Sequence, residues 1–218
     1  MIVLLDEVVS PANAEAMVGL LGDASMESGH RTAGKLARAI KQNLQGDAAD
    51  DRVETVLRQA REALLAHPLF KRHAVLAKFG RLLVSRYESG MAYGKHFDDA
   101  IIAGIRTDLS FTLFLSPPDL YAGGELELFT SAGSQAIKLP PGCAVLYPTD
   151  QLHQVRPVTQ GERIAVVGWA QSRVRSAEQR SILADLDTIS EHLSDGDSDT
   201  LLHLRHIRNR LLRMWMDS

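Results

Sequence analysis

The chain has 218 residues, with 24 Lys plus Arg against 27 Asp plus Glu and a formal net charge of -3, a balance that argues against nucleic acid as a partner. With 45% apolar residues, 23% charged and 8 prolines, the composition is that of a globular protein, which excludes disorder and collagen. The single cysteine, Cys143, cannot close an internal disulfide and excludes a Cys-based zinc ribbon, so a reducing, cytoplasmic setting is expected.

The apolar start Ile2-Val3-Leu4-Leu5 stops at Asp6-Glu7, with no basic lead and no cleavage site. It reads as a short strand, and no stretch reaches the roughly 20 apolar residues of a membrane span. Ser10-Pro11 reads as an N-cap followed by proline in the first turn of a helix that ends near Gly22. Ser25 to Gly46 is a mixed polar stretch with a helix-forming middle from Lys35 to Gln45, and His30 and Arg31 fall in a loop. Asp50 and Asp51 open a helix in which Val53, Val56, Leu57, Ala60 and Leu64 recur at helical spacing until His67-Pro68 breaks it. Beyond Ala74 come short alternating segments: Gly80 to Tyr87, Asp108 to Leu115, Gly124 to Phe129, Gln135 to Leu139, Ala144 to Tyr147, His153 to Val155 and Glu162 to Trp169. Strands so closely spaced indicate a sandwich or barrel, and no Gly-rich loop supports a nucleotide-binding fold. After Ser172 two apolar faces, Ile182 to Leu193 and Leu204 to Met214, predict a helical hairpin.

His96-Phe97-Asp98 places an imidazole and a carboxylate two residues apart, on one side if the segment is a strand. His153 begins a later strand, so two histidines and one carboxylate can share an ion with open positions, as in non-haem Fe(II) oxygenases. Ten residues on, Arg163 shares a face with Ala165, Val167 and Trp169. An arginine on a largely apolar inward face needs an anion, and its planar fork suits a carboxylate. A dicarboxylate cosubstrate follows.

This order, His-x-Asp, about 55 residues to His and ten to Arg, resembles the Fe(II)/2-oxoglutarate-dependent dioxygenases of the prolyl-hydroxylase branch, and most of all the PKHD-type hydroxylases. The segments that carry the resemblance include Tyr93-Gly94-Lys95-His96-Phe97-Asp98, Gly123-Gly124-Glu125-Leu126, Leu146-Tyr147-Pro148 and His153-Gln154-Val155 through Arg163, over most of residues 80 to 193. The resemblance implies an α+β fold with a double-stranded β-helix, or jelly-roll, core between N-terminal helices and a C-terminal helical hairpin. It divides the chain into 1-73, a strand and helices packed on the core; 74-173, the dioxygenase jelly roll; and 174-218, a helical extension. It further implies His96, Asp98 and His153 as iron ligands, Arg163 as the clamp on the distal carboxylate of 2-oxoglutarate, and Tyr87 and Trp169 as pocket walls. Fe(II), 2-oxoglutarate and O2 are the expected reactants, with L-ascorbate as reductant and succinate and CO2 released as a C-H bond of an unidentified substrate, a prolyl-like peptide side chain or a small metabolite, is hydroxylated. Phe114 stands where many relatives have a tyrosine that helps hold the distal carboxylate, so Tyr87 or another hydroxyl such as Thr112 is expected to substitute.

Other readings compete. A non-catalytic sensor of iron or 2-oxoglutarate acting through the C-terminal helices would have no need of an O2 site, and a zinc hydrolase leaves Arg163 unexplained. His30, His67, His73, His192, His203 and His206 read as ordinary histidines, and Cys143 as a packed thiol. Asp195, Asp197 and Asp199 lack the Gly and Glu of a calcium loop. Arg106 and Arg156 are candidates for the active-site mouth, where they would favour an anionic or peptide substrate. Met214, Trp215 and Met216 suggest a homodimer packed through the C-terminal helices.

Overall fold

In the computed structural model, which describes residues 1–32, 37–193 and 198–216, the apolar start forms strand β1 (Val3–Leu5). Helix α1 (Pro11–Gly22) follows, capped by Ser10, whose Oγ accepts the Asn13 N–H at 3.2 Å while Pro11 occupies a position that needs no donor. Where the sequence predicts a helix, between Lys35 and Gln45, the chain instead forms β3 (Lys41–Gln42) and β4 (Leu44–Gly46) after β2 (Met26–Ser28); residues 33–36 lie outside the described residues. The reason is an inverted pattern. Lys41, Asn43 and Gln45 alternate on the buried side, so the period of two is present without an apolar signal.

Helix α2 (Asp51–Ala66) buries Val53, Val56, Ala60 and Leu64. Its cap Asp50 accepts the N–H groups of Arg52 and Ser25 at 2.9 and 2.8 Å. Pro68 ends α2 as expected, but a second short helix, α3 (Pro68–Ala74), starts at once, because proline is tolerated in a first turn. His67 joins the two: its Nδ1 accepts from Phe70 N–H at 3.4 Å and its Nε2 donates to the Asp6 carbonyl at 2.9 Å.

The strands β5 (Leu76–Glu88), β6 (Ala92–His96), β7 (Ile101–Ile102), β8 (Ile105–Arg106), β9 (Leu109–Phe114), β10 (Tyr121–Gly123), β11 (Leu126–Thr130), β12 (Gly133–Ile137), β13 (Ala144–Pro148), β14 (His153–Val155) and β15 (Val158–Ser172) precede helices α4 (Ala177–His192) and α5 (Ser198–Trp215). The larger antiparallel sheet runs β1-β13-β9-β15-β5-β4-β2, with β10 also on β15; the smaller runs β12-β11-β14-β6-β3, and β7 pairs with β8. One face of the larger sheet sends Val84, Phe111, Leu113 and Val166 into a core shared with Met17, Leu64 and Phe70 of the N-terminal helices. Its other face, one residue out of step, fronts a cavity that the smaller sheet closes. This is the α+β jelly roll expected, with its flanking helices. The C-terminal hairpin docks through Val75, Val174 and Leu183 against Leu211, Leu212 and Trp215. Among the described residues no helix is long and apolar enough to cross a membrane.

Two features of the sheets give expected results. Gly123 has φ +72°, and a Cβ there would stand 2.0 Å from the Pro157 carbonyl oxygen. Gly123→Ala should therefore cost about 3 kcal/mol or more in a denaturant titration.

On the smaller sheet, Glu127 accepts from Arg156 (Nη2 at 2.7 Å and Nε at 2.9 Å), from Ser134 Oγ at 2.7 Å and from Gln154 Nε2 at 2.6 Å. Arg156 above all, then Ser134 and Gln154, holds its carboxyl at about 2. A folded-state value below the unfolded one means stability that is complete above the ordinary carboxylate range and is lost as pH falls toward about 2. Glu127→Gln should lower stability at neutral pH and flatten the acid-unfolding curve across that window.

Candidate active site

β6 ends at His96 and β14 begins at His153, and the two residues lie directly opposite each other in the antiparallel register. Asp98 is not on the strand, as the alternation argument had it, but in the loop that leaves β6. Its position comes from the larger sheet: Ser110 Oγ on β9 donates to Asp98 Oδ2 at 2.7 Å and lies 3.2 Å from Thr149 Oγ1. The carboxylate then stands 3.8 Å from His96 Nε2 through Oδ1 and 3.8 Å from His153 Nε2 through Oδ2. The three residues offer ligand atoms within 4.8 Å of one another, the one such group among the described residues.

Each imidazole is set for ligation. His96 Nδ1 donates to the Gly94 carbonyl and His153 Nδ1 to the Gln151 carbonyl, both at 2.8 Å, which fixes the tautomers with Nε2 unprotonated. Burial, then the neighbouring His153, lowers His96 to about 4, so it is a neutral donor at neutral pH. The Tyr93 ring stacks on His96 at 3.6 Å between centroids, and Tyr147 meets His153 edge-on at 5.3 Å. Two neutral imidazoles and one carboxylate, reachable from a cavity of about 830 Å³, suit Fe(II).

Arg163 stands on β15 opposite Tyr87 of β5. It is 1% exposed, and its Nε, Nη1 and Nη2 are all buried without a hydrogen-bond partner among the described residues. Its guanidinium carbon lies 5.4 Å from the Tyr87 ring centroid and 5.3 Å from that of Phe114. Aromatic faces offset part of the cost of a buried cation but accept no hydrogen bonds, so the fork is left for a bound anion. Arg163 lines the same cavity as the triad, with Tyr87, Trp169 and Thr112. Phe114 offers no hydroxyl, but Tyr147 lines the cavity, and burial and then Asp98 raise its phenol well above the ordinary value, so it stays protonated.

The comparisons agree with this arrangement. The profile of the 2OG-Fe(II) oxygenase superfamily matches residues 82–171. A PKHD-type hydroxylase of Maricaulis maris is 47% identical over 219 residues, covering 100% of both chains. The chain belongs to the PKHD-type hydroxylases. Another member, from Hyphomonas neptunium, is 39% identical and covers 99% of each chain. Among solved structures, a Pseudomonas putida prolyl-4-hydroxylase shares the fold at a TM-score of 0.57 and 20% identity, covering 79% of this chain and 92% of that one. This PKHD-type hydroxylase is thus a 2-oxoglutarate-dependent dioxygenase, and the sensor reading is not favoured.

Not every expected residue reaches the site. Arg106 is held by Asp108 at 2.8 and 3.0 Å, and Arg156 by Glu127, so neither lines the cavity mouth. Of the calcium-loop residues, Asp195 and Asp197 lie outside the described residues. Cys143 is buried and unpaired with another cysteine. Sequence reasoning missed Ser110, Tyr93 and Tyr147 as neighbours of the triad, and Lys41 and Arg81 as cavity residues. For Tyr147 a signal existed: it sits just before the turn that leads into His153.

Proposed function

We propose that His96, Asp98 and His153 hold Fe(II), that Arg163 receives the distal carboxylate of 2-oxoglutarate, and that Tyr87 and Trp169 are walls of that pocket. The observation that carries this reading is Arg163: a fully buried guanidinium whose nitrogens have no hydrogen-bond partner among the described residues, in the cavity that also contains the triad. When bound, iron and 2-oxoglutarate supply the coupling of O2 reduction to oxidative decarboxylation, releasing succinate and CO2 and oxidising a C-H bond. The chain's own residues do the rest. Gly94 and Gln151 carbonyls hold both histidines in the ligating tautomer, and Ser110 fixes the Asp98 carboxylate. Tyr87, which stands opposite Arg163 with its ring 5.4 Å from the guanidinium, supplies the hydroxyl that Phe114 lacks. Leu126, Val155 and Val167 on the cavity wall exclude water from the reacting centre.

The finer picture is of an enzyme that works in the cytoplasm with ascorbate as reductant, on a small metabolite or a prolyl-like side chain. Residues 1-73 and 174-218 brace a catalytic unit at 74-173. The test is succinate release from 2-oxoglutarate by purified protein. It should require Fe(II) and O2, and be sustained by ascorbate; equal release in an oxygen-free vessel contradicts the reading.

A further inference from the structure

Behind Arg163 the cavity wall carries a chain of polar side chains that begins outside the jelly roll. Ser85 and Tyr87 are two residues apart on β5 and both line the cavity, so they leave the strand on one side. Opposite them on β15 stand Ala165 and Arg163. Asn43, between β3 and β4, lines the same cavity, and its Nδ2 donates to Ser85 Oγ at 2.8 Å. Asn43, Ser85 and Tyr87 are all buried.

This chain of donors has one direction. An amide nitrogen only donates, so Ser85, having accepted from Asn43, keeps its own O–H for another acceptor. Tyr87 is that acceptor: burial raises its phenol, and the charge of Arg163 and a hydrogen bond from Ser85 work against the rise. A phenol oxygen that accepts from Ser85 retains its own proton for a further acceptor, and the guanidinium of Arg163 has only donors. The proton is left for a bound anion. The sense of the amide is set by its surroundings. Asn43 Oδ1 is buried without a hydrogen-bond partner among the described residues and lies against Gly29, where an added Cβ would stand 1.9 Å from it. The reverse orientation would press two N–H groups, instead of one oxygen, against a glycine methylene, leaving both donors unmade.

We propose that Asn43 is a positioning residue for 2-oxoglutarate, acting through Ser85 to aim the Tyr87 hydroxyl proton at the distal carboxylate beside Arg163. The inference rests on the assignment of Arg163 and Tyr87 to that carboxylate. Without the amide, Ser85 Oγ is free to accept from Tyr87, whose proton then turns away from the pocket and whose lone pairs face the anion. In a dry pocket such a reversal is felt, because hydrogen bonds in a chain polarise one another. Asn43 precedes the stretch 82–171 that the oxygenase profile matches, so the N-terminal segment completes the cosubstrate site of the domain it packs on.

The test measures 2-oxoglutarate binding by calorimetry on the full chain loaded with Zn(II) in place of Fe(II). It compares the wild type, Asn43→Leu, Gly29→Ala, Tyr87→Phe and the double variants that combine Tyr87→Phe with each of the other two. Gly29→Ala leaves Asn43 in place and crowds its amide off Ser85, so it reads the same effect if Asn43→Leu does not fold. Thermal melts and Zn(II) titrations show that each protein is folded with its metal site intact. Tyr87→Phe should weaken binding about tenfold, and Asn43→Leu and Gly29→Ala about fivefold. In the Tyr87→Phe background neither should weaken it further, since the proton they aim is gone. Undiminished affinity in both Asn43→Leu and Gly29→Ala, or an equal loss with and without the Tyr87 hydroxyl, overturns the positioning role and leaves the cosubstrate assignment standing. Undiminished affinity in Tyr87→Phe overturns the role of that hydroxyl and the positioning role with it. Failure of the wild type to bind 2-oxoglutarate overturns the cosubstrate assignment itself.

Discussion

Asp98→Ala should abolish iron-dependent turnover of 2-oxoglutarate, lowering Fe(II) affinity by more than about 100-fold. The carboxylate is the only anionic member of the triad, and it reaches both histidines at 3.8 Å. Without it, two neutral imidazoles remain for a hard cation. A graded result should accompany this loss. Ser110→Ala removes only the 2.7 Å hydrogen bond that orients Asp98, and such a supporting contact is worth about tenfold or somewhat more in metal affinity. Metal titrations of the two variants, beside a thermal melt to show that both fold, measure the order. Equal affinities for Asp98→Ala and wild type contradict the ligand assignment.

Arg163→Met should weaken 2-oxoglutarate binding by about 100-fold or more, leave iron binding intact, and cost the unliganded protein no stability. The last part carries the sign that distinguishes a binding group from a structural one. In the unliganded protein the guanidinium is buried and its nitrogens have no hydrogen-bond partner among the described residues, a cost that its contacts with Tyr87 and Phe114 offset only in part. Methionine keeps the apolar contacts and removes the charge, so its melting temperature should equal or exceed the wild type's. With 2-oxoglutarate at about 100 times its dissociation constant, the wild type should gain about 2.7 kcal/mol and the variant almost nothing. Melting both proteins with and without the ligand gives all four values. A large destabilisation of the unliganded variant contradicts the binding role.

The residues of the site were legible in the sequence to the extent that local patterns carry them. His153 opens a strand after a polar turn, and Arg163 is conspicuous on an otherwise apolar face, so both stood out without any view of the fold. Asp98 stood out by its spacing from His96, and the fold brings it to both histidines, but its local structure was not legible, because its position depends on Ser110 in a different sheet. Strands β3 and β4 were hidden for a related reason: their inward side chains, Lys41, Asn43 and Gln45, are polar because they face a cavity and not a core. A rule that equates inward with apolar fails wherever a strand lines a binding site. Pro68 was read as a stop when its place in a first turn also makes it a start. Arg106 and Arg156 were expected at the active-site mouth, and their acidic partners, Asp108 and Glu127, were not assigned until the fold joined them.

The most direct test of the iron and cosubstrate assignment needs no substrate. Metal-free protein is mixed under anaerobic conditions with Fe(II) and then with 2-oxoglutarate, and the visible spectrum is recorded. The expected result is a weak charge-transfer band that appears only when both are present and is lost in Asp98→Ala. A folded protein that binds Fe(II) yet shows no band on addition of 2-oxoglutarate contradicts it.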